Sequence, residues 1–177
     1  KEASKIEWSK AYSKDFMRRH NLPTAKFEIF NNFEKAKKYV LKQSLPIVIK
    51  ASGLALGKGV IICRTLEQAY EALENMMVKK VFGNSGSEVV IEEFLVGQEI
   101  SVHIFSDGKN YKMFPLSQDH KKAGEGDTGL NTGGMGTIAP LPFLNKNMIN
   151  KIEKEIVAPT LKAMADDGKP FVGVLYP

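Results

Sequence analysis

Residues 50–63 read Lys-Ala-Ser-Gly-Leu-Ala-Leu-Gly-Lys-Gly-Val-Ile-Ile-Cys, with three glycines around a lysine. Glycines beside a cation point to phosphate chemistry. A Walker loop would place four residues between its first glycine and its Gly-Lys pair, then a Ser or Thr for magnesium. Here three residues separate Gly53 from Gly57, and Gly59 follows Lys58. A Walker loop also runs from a strand into a helix, whose N-terminal N–H groups hold the phosphate. This segment joins two β-branched runs, 47–49 and 60–62, and is expected to be a hairpin. A glycine-rich tip lets backbone N–H groups approach an anion. Lys50 and Lys58 would supply charge. A flexible hairpin with solvated lysines fits the same residues.

Three further stretches carry chemistry-bearing side chains. Residues 89–99, Val-Val-Ile-Glu-Glu-Phe-Leu-Val-Gly-Gln-Glu, run from an apolar strand into two carboxylates, an apolar pair and a third carboxylate. Backbone groups there could meet a purine edge, and Glu99 could accept from ribose hydroxyls; an edge strand with exposed acids would look the same. Residues 117–122, Ser-Gln-Asp-His-Lys-Lys, put a carboxylate, an imidazole and two ammonium groups where a strand feeds a loop, a common place for substrate groups. A charged turn is the plainer alternative. Residues 131–136, Asn-Thr-Gly-Gly-Met-Gly, could present successive N–H groups as an anion nest, or form a loose surface loop.

The elements that must position these groups follow from periodicity and punctuation. Trp8, Tyr12 and Phe16 recur every fourth residue, predicting a helix over 3–20. Pro23 stops it. A strand at 27–30 precedes a helix capped by Asn32 and running to about residue 43. After the hairpin strands, Thr65-Leu-Glu-Gln forms a capping box. It opens a helix with Leu66, Ala69, Tyr70, Leu73, Met76 and Met77 on one side. Strands are expected at 89–95 and 100–105, then an Asp107-Gly108 turn and a strand at 111–116. From 118 to 136 periodicity disappears and six glycines occur; long loops of this kind are usually functional or disordered. Asn145 caps a last helix that Pro159 should kink or split and Gly168 should end. A strand at 171–176 follows. The expected fold class is α+β with a mostly antiparallel sheet.

Hydrophobic residues make up 43% of the 177 and charged residues 25%, a globular balance for one domain or two small ones. No apolar run approaches the roughly 18 residues needed to span a bilayer. The opening Lys-Glu-Ala-Ser-Lys-Ile-Glu-Trp-Ser-Lys has no apolar signal core. Cys63 is the only cysteine, which excludes an intrachain disulfide and fits a cytoplasmic or organelle-matrix home. The net charge of +5 is spread along the chain without a dense basic run interleaved with aromatics. That argues against nucleic acid. A small anionic ligand would need only a few focused cations, and most of the 25 Lys and Arg read as a solvated surface.

Taken together and in this order, the four stretches resemble the ATP-grasp region of the phosphoribosylamine–glycine ligase family. The resemblance includes the opening segment through "NLPTA", then "VIKASGLALGKGV", "VIEEFLVGQEIS", "QDHKKAGEGDTGLNTGGMG" and "GKPFVGVLY". It implies an ATP-grasp fold: a helix at 1–23 belonging to the core lobe, a lid subdomain at 24–93, and the first part of the second lobe at 94–177. The glycine hairpin would belong to that small α+β lid over the ATP triphosphate. By the same resemblance Lys50 and Lys58 contact phosphate. Glu92, Glu93, Phe94 and Leu95 form the adenine hinge, Glu99 takes the ribose, and Lys122 and Asn131 lie on the ATP side. Asp119, His120 and Lys121, with Gly133 and Gly134, lie toward the reacting centre.

The implied reaction is an ATP-dependent ligation of de novo purine synthesis. Glycine becomes glycyl phosphate, and the amine of 5-phosphoribosylamine displaces phosphate to give glycinamide ribonucleotide, ADP and phosphate. Positioning and charge neutralisation would carry such chemistry. Four residues depart from the family pattern: Lys122 where Arg is common, Thr137-Ile138 for an Ala-aromatic pair, and Leu56 for Ala. Replacing Arg by Lys loses bidentate geometry and keeps charge. The resemblance also implies an N-terminal domain before Lys1 and a Glu-x-Asn pair for magnesium after Tyr176. On that basis the ATP site lacks its metal ligands within these residues, and the 177-residue chain by itself is expected to be inactive. Another ATP-grasp ligase, or a nucleotide-binding module without catalysis, are the alternatives.

Overall fold

The computed structural model describes residues 2–55, 58–126 and 128–176, with the backbone alone for Leu130 and Asn131. Leu56 and Gly57, to which the sequence drew attention, lie outside the described residues. The chain divides into two compact units. One comprises Trp8–Asp15 and Thr24–Val96, the other Lys1–Glu7, Phe16–Pro23 and Gly97–Pro177.

The first unit is built on a four-stranded antiparallel sheet. Its strands are β1 (Phe27–Phe30), β2 (Ile47–Ala51), β3 (Val60–Cys63) and β4 (Val89–Glu93), in the order β1-β4-β2-β3. Hairpin strands β2 and β3 pair antiparallel, as their β-branched runs predict. Ile47, Ile49, Ala51, Val89 and Ile91 turn one face of the sheet into a core with Ala36, Val40, Ala69, Leu73 and Met76. These come from α3 (Phe33–Val40), α4 (Leu66–Leu73) and the wider π-turn of residues 74–78. The caps are local and legible. Asn32 Oδ1 accepts the Lys35 N–H at 3.0 Å. Thr65 Oγ1 accepts the Gln68 N–H at 3.3 Å, and Gln68 Oε1 returns to the Arg64 N–H at 2.8 Å. Helix α3 stops at Val40, about three residues before the predicted end.

The expected helix over 3–20 is two helices, α1 (Lys5–Trp8) and α2 (Lys10–Arg19). Ser9 is the break. Its hydroxyl accepts the Tyr12 N–H at 3.3 Å, as an N-cap does. The next N–H groups leave the helix for Ser52: Lys10 N–H to the Ser52 carbonyl at 2.8 Å, Ala11 N–H to its Oγ at 3.1 Å. Trp8 consequently sits exposed rather than continuing the stripe to Phe16, which is buried. Asn21, with φ of 54°, takes the left-handed position that ends α2.

The second unit holds a three-stranded antiparallel sheet in the order β11-β5-β6, formed by β5 (Ile104–Asp107), β6 (Tyr111–Met113) and β11 (Val172–Leu175). The strand expected over 100–105 begins late; before it, Ser101 makes only a bridge to Ser117. Residues 118–136 are not a featureless loop. They and the residues just after form two short ladders. One pairs β7 (Gln118–Asp119) with β10 (Thr137–Ile138), the other β8 (Lys122–Gly124) with β9 (Thr128–Asn131). Strands of two to four residues are too short for alternation to show.

The last helix splits as Pro159 requires. Helix α5 (Lys146–Ile152) passes through a π-turn at residues 153–157 into α6 (Ala158–Asp166), with the proline in the first turn of α6. Gly168, at φ of 70°, closes it. Among the described residues no helix is long and apolar enough to cross a membrane.

Candidate nucleotide and substrate sites

In the first unit, β2 carries near its end the residue the sequence singled out. Lys50 pairs with Glu92 Oε1 on the neighbouring strand. A second ammonium, Lys14 Nζ, lies 2.6 Å from Glu92 Oε2, an ion pair whose angle falls short of a hydrogen bond. Lys14 also donates to Thr24 Oγ1 at 2.7 Å. The Glu92 side chain is only 6% exposed, so it needs this pairing. A third ammonium, Lys10 Nζ, donates to the Gly53 carbonyl at 3.2 Å. Burial lowers the Lys10 pKa from 10.5, and the Lys50 charge lowers it further. Two ammonium groups thus share one carboxylate, and a third sits on the Gly53 carbonyl, at the base of the glycine hairpin. The positive excess fits a polyanion such as a triphosphate.

The hairpin glycines have a nearer cause than anion approach. A Cβ on Gly53 would lie 2.7 Å from Ser85 Oγ and 2.9 Å from its Cα, and one on Gly59 would lie 2.6 Å from Ala55 Cβ. The Gly53 N–H donates to the Ser85 carbonyl at 3.1 Å, and Ser85 Oγ returns to the Leu54 carbonyl at 2.8 Å. Lys58 is exposed at the tip.

Sheet pairing ends at Glu93. Its N–H donates to the Lys26 carbonyl at 3.0 Å, and its Oε1 accepts the Lys26 N–H at 2.8 Å. Beyond it, Phe94 has the Arg64 guanidinium 5.9 Å from its ring centre, and Leu95 and Val96 are exposed.

In the second unit, a cavity of about 370 Å³ is lined by Ser101, His103, Ser117, Asp119, Lys121, Gly133, Gly134, Gly136, Thr137 and Tyr176. Lys121 Nζ lies 2.6 Å from Asp119 Oδ2. That hydrogen bond raises the Lys121 pKa above 10.5; burial opposes it, and the charges of Asp119 and Glu99 add to it. Tyr176 stacks on His103 at 4.6 Å, and its hydroxyl lies 3.3 Å from Ser101 Oγ. Two N–H groups of the stretch read as a possible anion nest, 131–136, are engaged within the loop. Gly134 gives its N–H to Thr132 Oγ1 at 3.0 Å, and Met135 gives its own to the His120 carbonyl at 2.7 Å. Gly134 is a glycine for two reasons: its φ is 128°, and a Cβ would lie 2.7 Å from Asp119 Oδ1.

Of the residues expected at the reacting centre, Asp119 and Lys121 line this cavity, whereas His120 is exposed and held by its backbone. Glu99 is exposed. Lys122 Nζ reaches the Gly129 carbonyl at 3.4 Å, and its backbone pairs with that of Asn131, whose side chain lies outside the described residues. Lys10 and Lys14 were missed by sequence reasoning. Their one signal is two cations four residues apart on the helix that carries Phe16, a repulsive pair that asks for an acid. His103, Ser101 and Tyr176 gave no signal. Among the described residues no cluster of three or more His, Cys, Asp or Glu is placed to hold a metal.

The sequence matches the family described as phosphoribosylglycinamide synthetase, ATP-grasp (A) domain, over residues 8–177. The chain belongs to this family. A relative from Streptococcus pyogenes named phosphoribosylamine–glycine ligase is 49% identical over 99% of this chain and 42% of its own length. A bifunctional purine biosynthetic protein from Pichia angusta is 51% identical over 98% of this chain and 22% of its own length. The crystal structure of phosphoribosylamine–glycine ligase from Thermotoga maritima superposes with a TM-score of 0.92 at 37% identity, covering 99% of this chain and 44% of that one. The chain therefore spans less than half the length of these relatives. A biotin carboxylase domain from Hydrogenobacter thermophilus, at 22% identity and a TM-score of 0.68, shares the fold. The fold is ATP-grasp, an α+β architecture with antiparallel sheets.

Proposed function

We propose that this protein binds ATP and uses it to join glycine to 5-phosphoribosylamine, in a cytoplasmic purine-synthesis step that passes through glycyl phosphate. The observation that carries the nucleotide half is the charge count at the hairpin base: Lys14 and Lys50 on one buried carboxylate, Glu92, with a third ammonium, Lys10, on the Gly53 carbonyl. The identity of the other substrates rests on the names of the similar ligases. Residues 24–93, in one unit with Trp8–Asp15, serve as the lid subdomain, and 94–177 as the first part of the second lobe.

ATP supplies, when bound, the phosphoryl group that gives the glycine carboxyl a leaving group. The chain's own residues do the rest. Lys14 and Lys50 are held by Glu92 before any ligand arrives, so their charge is preorganised toward phosphate oxygens. Lys58 adds charge from the tip. The Glu93 carbonyl and the Leu95 N–H meet the edge of adenine, with Glu92 and Phe94 completing the hinge, and Glu99 accepts from the ribose. Lys122 and Asn131 add contacts on the nucleotide side. Lys121, kept protonated by Asp119, acts as fixed positive charge beside the reacting carboxyl rather than as a base. His120 belongs to the same loop, on its outer side.

The test is substrate dependence. The protein carrying this sequence should release ADP from ATP only when glycine and 5-phosphoribosylamine are both present, and should form glycinamide ribonucleotide in equal amount. ATP turnover indifferent to glycine, or driven equally well by another carboxylate, would overturn the assignment.

A further inference from the structure

We infer that the Glu93 carboxylate is a positioning group for base selection: by taking the Lys26 N–H it keeps the Glu93 main-chain carbonyl free for the amine of adenine. This rests on the proposed ATP site and adds to it a role for a side chain.

The geometry starts from the ladder. Strands β1 and β4 are in antiparallel register, with Phe27 opposite Glu92, so Lys26 stands opposite Glu93. In such a ladder every second pair exchanges two bonds, each residue giving its N–H to the other's carbonyl. Glu93 keeps its half, donating to the Lys26 carbonyl at 3.0 Å. Lys26 does not reciprocate. Its N–H goes to Glu93 Oε1 at 2.8 Å.

Chemistry favours this exchange of acceptors. A carboxylate accepts a hydrogen bond more strongly than a neutral carbonyl. The N–H and C=O of one strand residue face the same neighbour, so the Glu93 carbonyl points toward β1 at the place where pairing stops. Its ladder donor, the Lys26 N–H, is given to Oε1 instead. A backbone acceptor in that state attracts a donor. The amine of adenine is such a donor; the carbonyl of a 6-oxopurine is not. Without the carboxylate, the Lys26 N–H would turn to the Glu93 carbonyl and compete with the base.

The experiment compares two nucleotides that differ only at the amine, ATP and purine riboside triphosphate, by calorimetric titration of the wild-type protein and Glu93 variants. Wild type should prefer ATP by about five- to tenfold, the worth of one such hydrogen bond. Glu93→Ala should bring that ratio to within about twofold by weakening ATP alone. Glu93→Gln, which keeps an acceptor oxygen, should retain the preference. Glu93→Met keeps the side-chain length without the acceptor and should behave as alanine does; it carries the test where the alanine variant melts too early.

Equal weakening of both nucleotides would mean a merely structural role and would overturn the inference. So would an unchanged ratio in the alanine and methionine variants, a glutamine variant that loses the preference, or a wild type that binds both nucleotides alike. A wild type that binds neither would instead overturn the ATP assignment on which the inference stands.

Discussion

Both units carry a lysine–carboxylate cluster, and the two differ in burial. Glu92 is 6% exposed at its side chain and holds Lys14 and Lys50. Asp119 is 20% exposed and holds one lysine, Lys121, which is 40% exposed. The sequence presents them alike, as acids and lysines near glycines. Physically they are not alike. A buried carboxylate that loses its partners, or lysines that lose theirs, leaves uncompensated charge in a poor solvent. A pair open to water recovers much of its solvation when broken. The first cluster is therefore part of the architecture, and the second is free to serve chemistry at little cost to folding.

Removing each acid is the sharpest way to break that comparison. Glu92→Ala should destabilise the protein by about 3–5 kcal/mol, read from urea unfolding, because two ammonium groups lose their counter-charge. Asp119→Ala should cost about 1 kcal/mol or less by the same measurement. Equal losses would show that burial does not separate the clusters. Next in size comes Gly134→Ala. The positive φ and the clash with Asp119 together predict a loss of about 1–3 kcal/mol, with a shift of the Lys121 ammonium resonance as its partner moves. The neighbouring Gly133→Ala has open space around its Cβ and should stay within about 0.5 kcal/mol of wild type. A Gly133 variant as damaged as the Gly134 one would refute the packing account of this loop.

How far the sequence could be read divides along the same line, between what neighbours along the chain decide and what distant residues decide. The caps at Asn32, Thr65 and Asn145 bond residues three positions away, and each was legible. The β2–β3 hairpin and the split at Pro159 follow from adjacent residues too. The break at Ser9 was not legible because Ser52, which takes the freed N–H groups, is 43 positions away. Lys14 looked like a solvated helix residue because its partner is on β4. The glycines at 53 and 59 suggested anion access, yet Ser85 and Ala55 explain both by contact. At 131–136 the Gly134 and Met135 N–H groups are taken by Thr132 and His120, contacts that the glycine spacing does not announce.

The smallest expected effect separates the clusters by the sign of a proton linkage. Lys10 has a pKa lowered by burial and then by the Lys50 charge, from an unfolded value of 10.5. Between its folded pKa and 10.5 the unfolded chain binds more protons, so this group makes stability rise with pH. Lys121 has a pKa raised by its hydrogen bond to Asp119. Its contribution is complete below 10.5 and is lost as pH climbs through the folded value, so it makes stability fall. Lys10→Met should remove a rising component just below 10.5, and Lys121→Met a falling one above it, each read as variant minus wild type in urea unfolding across pH. A triphosphate at the hairpin base would restore the Lys10 proton by opposite charge. Binding of a non-hydrolysable ATP analogue just below 10.5 should then take up protons, measured as a dependence of the calorimetric enthalpy on buffer ionisation. Uptake that persists in Lys10→Met would place the titrating group elsewhere and remove Lys10 from the phosphate site.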